Sequence, residues 1–442
     1  MRSGQDLQFA RLSSSAIPAS NSNFGPIALL MIGIAIPSSL TFNLGDFKFY
    51  AARLAVALLL APAFLRMFRK GRHLVWCDLF TSLASAWMIV SILIAGSYDS
   101  MSSTVAIVLE FWGAYAVARG FIFGRQAIEA FVKMLKPVVV IVVAFAVLDQ
   151  LAGIWVLNAV IGPLVGVPLG WVPEFRGGFV RATSIFPHPI LYGTFCAVAA
   201  AVFLYARQRV FVGLSLFGCV LAMSSAPFMV SFIVIAVYGY DIVFNRFNWR
   251  WKAFTAVVAL FFAIIYGVTN NPTSWVISHL TLDPSTGYFR EATWDRAFYN
   301  IGLSPLTGYG FGDIGDPVVK EFFDNASVDA VWLVLALRFG IPVVPLLLLA
   351  NISSYYGGAG KQRIGRAQDA YMSNVRTGFT IAVWVLMLAG LTVHYWNSLW
   401  LFWGLCLGIR AGFQERGAEQ QAARAIPPHS YALADACAGE WR

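Results

Sequence analysis

Long apolar blocks recur along the whole chain and constrain its fold more than any other feature. Each block runs for roughly 17 to 22 residues, which lets a helix cross the ~30 Å hydrocarbon core of a bilayer. Glycines, prolines or charges separate the blocks. The chain is 59% hydrophobic and only 12% charged, about half the charged fraction of soluble domains. Because a helix satisfies its own backbone where water is absent, the pattern predicts an all-α polytopic membrane protein.

The blocks predict about twelve transmembrane helices in a single domain from about residue 26 to 414. A segment of about residues 1 to 25 precedes the domain, and a tail of about residues 415 to 442 follows it. Prolines among small polar residues predict that the tail is disordered. The predicted spans cover about residues 26–44, 51–68, 76–96, 103–121, 137–155, 189–206, 210–225, 227–244, 253–269, 330–350, 377–394 and 396–413.

Lysines and arginines are concentrated in every second loop, and this bias predicts the orientation of the chain. Basic loops stay on the cytoplasmic side of a bacterial inner membrane, so both termini are expected to be cytoplasmic. No short apolar core precedes a cleavage signature, and the first span is expected to remain in the mature protein.

Two long connections, about residues 156 to 188 and 270 to 329, fall on the opposite, periplasmic face. Loops of this length are usually functional or disordered. Both are rich in aromatic residues, so we expect them to be partly folded. The second is predicted to contain a short amphipathic helix near residues 286 to 301.

Several functional classes do not fit the sequence. The net charge of +9 is spread over many loops instead of one surface, so no nucleic acid is expected as a partner. The five cysteines are scattered without paired or CxxC spacing, which argues against a disulfide framework and a metal site. No internal repeat is evident, which weakens a transporter of the inverted-repeat type.

A glycine cluster between Gly308 and Gly312 looks at first like a phosphate-binding loop. Such a loop follows a strand and leads into a helix whose first turn meets the anion. This cluster follows a predicted helical stretch that ends at Ser304 and Pro305. The sequence therefore predicts a compact turn and no nucleotide cofactor.

Arginines break the expected charge pattern in the predicted periplasmic connections, where basic residues are usually scarce. An arginine offers a planar fork of donors that grips two phosphate oxygens at once, so these residues suggest a phosphate or diphosphate ligand. The alternative is that each one pairs with a neighbouring acid or with ordinary lipid headgroups. The four residues are Arg176, Arg181, Arg290 and Arg296.

Candidates for a general base lie in the same connections. Asp329 is the last charge before the span at 330–350, and a carboxylate there could accept the proton of a sugar hydroxyl. His188 and His394 lie beside spans, where a histidine is more often packed than catalytic. Ionisable residues in or beside spans either pair structurally or form a proton or ion path. These are Asp78, Glu110, Asp149 and Arg338.

Four short motifs in the second half of the chain share one order and spacing with a known family. They are RATSIFPHPILYGTF at 181–195, LAMSSAPFMVSF at 221–232, REATWDRAFYNIGLSPLTGYGFGD at 290–313 and VDAVWLVLALRFGIP at 328–342. In this respect the chain resembles the bacterial O-antigen ligase and polysaccharide polymerase family. The motifs cover about residues 175 to 345, and the first half resembles the family in hydropathy only.

The resemblance implies a metal-independent glycosyltransferase with a glycan on undecaprenyl diphosphate as donor, a lipid-linked glycan as acceptor and no cofactor. Arg181 and Arg290 would grip the diphosphate and stabilise its charge as it leaves, with Arg176 as a further contact. Asp329 would act as the base or orient the acceptor. The bilayer, a chain-length regulator and a repeat-unit flippase are implied partners. Further candidate site residues are His188, Trp294, Arg296 and Glu321.

The chain departs from the family pattern at two points. Ligases usually carry His followed by Asn ahead of the final helix, whereas this chain has Asp329 followed by Ala330. The run Ser224-Ser225-Ala226 stands where many members have Ser-Arg-Gly. The acid is nearer to polymerase-like members, so we expect a polymerase of exopolysaccharide, capsule or O-antigen repeat units. The alternatives are an O-antigen ligase and, from another class, a polysaccharide-related transporter or flippase.

Overall fold

Helices dominate the structure, in agreement with the apolar blocks. The computed structural model describes residues 24–165, 173–269, 275, 284–311, 328–355 and 367–425. Its helices, in chain order, are α1 (Phe24–Ala35), α2 (Ala51–Met67), α3 (Trp76–Ala95), α4 (Tyr98–Phe121), α5 (Arg125–Ala152), α6 (Val156–Val165), α7 (Pro189–Tyr205), α8 (Arg209–Leu221), α9 (Ser225–Val243), α10 (Arg250–Val268), α11 (Pro284–Leu303), α12 (Val331–Phe339), α13 (Val343–Ser353), α14 (Ala367–Ala389) and α15 (Asn397–Ala425). Two antiparallel hairpins add strands β1 (Thr41–Leu44), β2 (Phe47–Tyr50), β3 (Phe175–Arg176) and β4 (Phe179–Val180).

Six of the described helices are long and apolar enough to cross a membrane. They are α3, α4, α5, α9, α10 and the part of α14 from Ala370 to Ala389. Four shorter apolar helices, α1, α7, α8 and α13, accompany them. The chain is therefore a helical membrane protein, although its described part does not reach the predicted count of about twelve spans.

The first predicted span, at 26–44, is shorter than expected and ends in a hairpin. Helix α1 stops at Ala35, just before Pro37, because the residue ahead of a proline disfavours the helical region. Strands β1 and β2 then pair antiparallel, with Gly45 in the turn at φ 62°.

The predicted span at 330–350 is broken into two helices. Gly340 separates α12 from α13 at a φ of 79°, and Pro342 follows it. Helix α12 has nine residues, and at ~1.5 Å per residue it is too short to cross a bilayer. It packs instead against α11, through buried residues that include Ala297 and Leu333.

The last helix is longer than predicted. Helix α15 runs to Ala425, past the predicted end at 413 and into the segment predicted as a disordered tail. Glu415 explains part of this order, because its buried carboxylate pairs with Arg72 and Arg119. The helix therefore overlaps the first part of the predicted tail, from about residue 415 to Ala425.

Helix α15 meets α4 at very close range in the core. A Cβ at Gly404 would stand 2.2 Å from the carbonyl oxygen of Phe111, and one at Gly408 would stand 2.5 Å from that of Tyr115. Small residues allow such close backbone contact between membrane helices. A π-helical turn of α4, Leu109–Gly113, lies at this contact.

The connections between helices gather at two ends of the bundle. At the first, Phe311 N–H donates to Ser100 Oγ at 2.7 Å, which joins the glycine-rich segment to the start of α4. At the second, Arg72 Nε donates to Glu415 at 2.7 Å, which joins the connection before α3 to α15.

Candidate functional site

The connection after α6 is tied to the end of α5 by one carboxylate. Asp149 Oδ2 accepts hydrogen bonds from the backbone N–H groups of Thr183 at 3.1 Å and Ser184 at 2.9 Å. Its Oδ1 accepts another from the N–H of Val156 at 2.9 Å. These bonds satisfy backbone donors that the turns of the connection leave open. Asp149, an ionisable residue predicted in a span, thus positions the loop that carries Arg181.

The backbone of Arg181 is held from two sides. Trp155 Nε1 donates to its carbonyl oxygen at 2.8 Å, and its own N–H donates to the carbonyl oxygen of Glu174 at 2.8 Å. The second bond extends the β3–β4 pairing by one step, since Phe175 lies opposite Val180. A hairpin therefore sets the position of this arginine.

The Arg181 guanidinium forms an ion pair with the Glu174 carboxylate. The Arg181 side chain is only 13% exposed, whereas that of Glu174 is 49% exposed. Burial lowers the pKa of Arg181, and the Glu174 and Asp329 carboxylates oppose this effect. Arg181 Nε is buried and has no hydrogen-bond partner in the part of the chain that the structure describes. A buried donor left over in this way is available to an anionic ligand.

Arg176 lies in β3 and is half-buried. Its Nη1 donates to the carbonyl oxygen of Met223 at 3.1 Å, next to the turn between α8 and α9. Its charge also lowers the pKa of Arg181, which shows that the two guanidinium groups act on each other. Two cations held this close favour an anion between or beside them.

His188 is the N-cap of α7, ahead of Pro189. Its Nδ1 accepts a hydrogen bond from the Ile190 N–H at 3.2 Å, so in the neutral ring the proton is on Nε2. Burial lowers the pKa of His188, and the Arg181 charge lowers it further. The ring is therefore neutral at pH 7, and its Nε2–H is a hydrogen-bond donor.

A cavity of about 450 Å³ lies between this loop, the start of α7, α12 and the connection before α15. His188, Asp329 and Glu174 line it. Asp329 also acts on the pKa values of Arg181 and His188. The structure thus brings three sequence-predicted residues, Arg181, His188 and Asp329, to one place.

The glycine cluster lies beside this cavity and contributes Phe311 to its lining. Tyr309 N–H donates to Leu337 and Gly310 N–H to Arg338, each to a backbone carbonyl oxygen at 2.9 Å. Arg338 Nη1 returns a bond to the Gly310 carbonyl at 2.6 Å. Gly308 and Gly310 have φ values of 66° and 62°, so the segment is a turn laid on the end of α12, as predicted. Gly312 lies outside the described residues.

The other candidates on the second connection are placed only in part. Arg290 belongs to α11, within the predicted amphipathic stretch, but its side chain lies outside the described part of the chain, as does Glu321. Trp294 is half-buried and packs on the contact between α11 and α12. Arg296 is exposed. Trp294 therefore has a packing role, and the helix that carries Arg290 is fixed to the helix that follows Asp329.

Several residues that line the cavity were missed as site candidates. Trp396 and Glu174 line it without having been predicted, and so do Arg338 and His394, which were predicted to be packed or paired. The ring centroid of Trp396 lies 5.2 Å from that of His394 and 6.1 Å from that of His188. No signal in the sequence links the connection before α15 to a loop some two hundred residues earlier, because the two come together through the packing of distant helices such as α7 and α14.

Two of the ionisable residues predicted in the spans, Asp78 and Glu110, form ion pairs. Arg119 donates to Asp78 at 2.7 Å and 3.0 Å, and to Glu415 at 2.6 Å. Arg72 completes this group, so two acids and two arginines balance in charge at the second end of the bundle. Glu110 pairs with Arg53 at 2.6 Å. The sequence left two alternatives for such residues, structural pairing or a proton or ion path. These pairs have the structural role.

Neither a family model nor a curated protein matches the chain. Within the described residues, no three or more His, Cys, Asp or Glu side chains are grouped so that they could hold a metal ion. The candidate site therefore has to be interpreted from its own geometry.

Proposed function

We propose that the protein is a membrane glycosyltransferase that polymerises undecaprenyl-diphosphate-linked oligosaccharide repeat units. The proposal rests on one observation: Asp329 lies with His188 on the wall of one cavity at the end of a helical bundle, close enough to act on Arg181 from the same loop as His188. A cation, a neutral hydrogen-bond donor and a carboxylate are the groups that this transfer needs.

The cationic groups would bind the donor. Arg181 has a buried Nε–H without a partner in the described residues, and Arg176 lies near it. A diphosphate would displace the exposed Glu174 carboxylate from Arg181 and would also receive the Nε–H. Arg290, on the helix packed against α12, is the third arginine of this group in the proposal.

Asp329 would accept the proton of the acceptor hydroxyl. The hydroxyl oxygen attacks the anomeric carbon, and the bond from this carbon to the diphosphate oxygen breaks. The electron pair leaves with undecaprenyl diphosphate, whose growing charge Arg181 stabilises. His188, neutral and donating from Nε2, would hold an oxygen of the sugar or the diphosphate.

We further propose that the cavity faces the periplasm of the bacterial inner membrane and that both termini are cytoplasmic. The basic connection that contains Arg72 lies at the opposite end of the bundle, in contact with Glu415 near the end of α15. Positively charged loops favour the cytoplasmic side. A lipid-linked donor would then reach the site from the outer leaflet.

Purified protein in lipid nanodiscs tests the proposal. Undecaprenyl-diphosphate-linked oligosaccharide from cells that carry the protein should give a ladder of longer products. A single transfer to lipid A core would indicate the ligase, and movement of the substrate across the bilayer without a new product would indicate a flippase. Either result would overturn the polymerase.

Variants test the roles of the residues. Arg181→Gln and Arg290→Ala should each lower the rate at least tenfold and raise the KM for the donor. Asp329→Asn should lower kcat with little change in donor binding. Arg246→Gln, which removes an exposed arginine between α9 and α10, is the matched control. Unchanged product length and yield in Arg290→Ala and Arg181→Gln would disprove the proposed grip on the diphosphate.

A further inference from the structure

A second cavity of about 310 Å³ adjoins the first. Phe311, Val334, His394 and Trp396 line both cavities and form a shared wall. The far side of the second cavity consists of the β1–β2 hairpin and the first half of α4, which take no part in the site described above. Its volume is in the range of small-ligand sites, ~300 to 1,000 Å³.

Glu110 lies at the bottom of this second cavity, in the π-helical turn of α4. Its Oε1 accepts hydrogen bonds from Tyr50 Oη at 2.8 Å and from Arg53 Nε and Nη2 at 3.1 Å and 2.6 Å. All the bonds that described residues make to this carboxylate end on Oε1, which leaves Oε2 to accept from a ligand. Single π-helical turns inside α-helices are frequent at functional sites.

The bonds of Glu110 with Tyr50 and Arg53 also lock the end of the hairpin and the start of α2 onto α4, and this structural role is sufficient for those residues. It does not account for the other polar groups of the cavity. Ser102, Ser103 and Asn397, which carry hydroxyl and amide groups, line the same space. None of them belongs to the lock.

The chemistry of the lining indicates the class of ligand. Two carboxylates, Asp46 and Glu110, balance two cations, Lys48 and Arg53, so the cavity has no excess charge for a phosphate group. The indole of Trp396 offers a flat apolar face beside hydroxyl and amide groups. Flat aromatic faces and many donors and acceptors together suit a neutral sugar, whose ring has an apolar C–H face and a rim of hydroxyls.

We propose that the second cavity binds the terminal sugar of the acceptor glycan. This inference rests on the proposed function and deepens it: the first cavity holds the donor diphosphate, and the wall with His394 and Trp396 separates the two substrates. The reactive hydroxyl of the acceptor would pass these shared residues to reach the anomeric carbon of the donor in the first cavity. The hairpin and α4 would then determine which sugar is extended.

The test needs an acceptor that cannot act as donor. The oligosaccharide released from the lipid-linked repeat unit and converted to its octyl glycoside lacks the diphosphate. Ser103→Trp places an indole in the second cavity and should raise the KM for the octyl glycoside at least tenfold. The KM for the lipid-linked donor should stay within twofold. Ser97→Trp, just before the start of α4 and lining neither cavity, is the control.

A second measurement uses the native chain, so its result does not depend on whether a variant folds. An octyl glycoside that carries a diazirine on its terminal sugar should label peptides containing residues 46–53 or 102–110 after irradiation. Labels confined to other peptides, or an unchanged acceptor KM in folded Ser103→Trp, would overturn the acceptor site while transfer by the native protein continued. If the native protein transferred no glycan from any lipid-linked donor, the proposed function would fail and the acceptor site with it.

Discussion

Arg119 and Glu415 are 296 positions apart in the chain, and Arg119 Nη1 donates to Glu415 Oε2 at 2.6 Å. The same carboxylate accepts from Arg72 Nε at 2.7 Å through Oε1. One acid near the end of α15 thus joins α4 to the connection before α3. This contact extends the last helix beyond its predicted end.

Removing this acid should destabilise the bundle strongly. Glu415→Ala leaves Arg72 and Arg119 with one buried partner fewer, which typically costs about 3 to 5 kcal/mol. The midpoint of thermal unfolding in detergent measures the loss. Glu129→Gln breaks an exposed pair with Arg125, which should cost less than ~1 kcal/mol. Equal losses in the two variants would mean that the buried group is not a structural lock.

Substitution at Gly340 should be as damaging as its geometry suggests. A Cβ there would lie 2.0 Å from the carbonyl oxygen of Leu306, and the φ of 79° disfavours any other residue. We expect Gly340→Ala to lose more than about 2 kcal/mol and to lower the unfolding temperature. Gly302→Ala is the matched control, because nothing lies within 4 Å of its Cβ. If Gly340→Ala were as stable as the native chain, the backbone at Leu306 would not lie against Gly340.

His394 should make the protein sensitive to acid. Burial, and then the Arg338 charge, lower its pKa from 6.5 to about 4. Between these values the unfolded chain binds a proton that the folded chain does not, so stability falls as the pH drops below 6.5. At pH 5 the loss from this group is about 2 kcal/mol. His394→Gln should flatten the fall in unfolding temperature between pH 7 and 5, whereas His73→Gln, which removes an exposed histidine, should not. Parallel curves for the native chain and His394→Gln would contradict this.

Glu174 competes with the donor for Arg181 in the proposed site. Glu174→Gln keeps the size of the side chain and removes its charge. Because the carboxylate is about half exposed, the pair is worth about 1 kcal/mol at most. The donor KM in the nanodisc assay should therefore fall by up to about fivefold, and Asp295→Asn, an exposed acid on α11, should leave it unchanged. A rise in donor KM for Glu174→Gln would mean that Glu174 itself contacts the substrate.

Hydropathy predicted the helices well where no turn interrupts an apolar block. The predicted spans at 51–68 and 76–96 match α2 and α3 within two residues. It failed at 26–44 and at 330–350, where the residues are as apolar as in a span but the backbone turns at Pro37 and Gly340. The mean hydropathy of a block does not reveal such a turn. A single proline or glycine changes the direction of the chain and leaves the mean hydropathy almost the same.

The candidate site, too, was predicted from the sequence only in part. The arginines and the acid were conspicuous because charged residues are costly beside a membrane. Their types and approximate position therefore followed from the sequence. Glu174, His394 and Trp396 carry no such signal, because each is ordinary in its own segment and only the cavity brings them together.

The sequence by itself determined that this chain is helical, lies in a membrane and keeps unusual charges in the connections between its helices. These properties depend on composition and order, which each segment carries alone. Only the tertiary structure decided that Arg181 and His188 lie beside Asp329, and that Asp149 positions the loop that carries Arg181. The physical reason is that these meetings depend on backbone hydrogen bonds and close packing between distant segments, which no local pattern specifies.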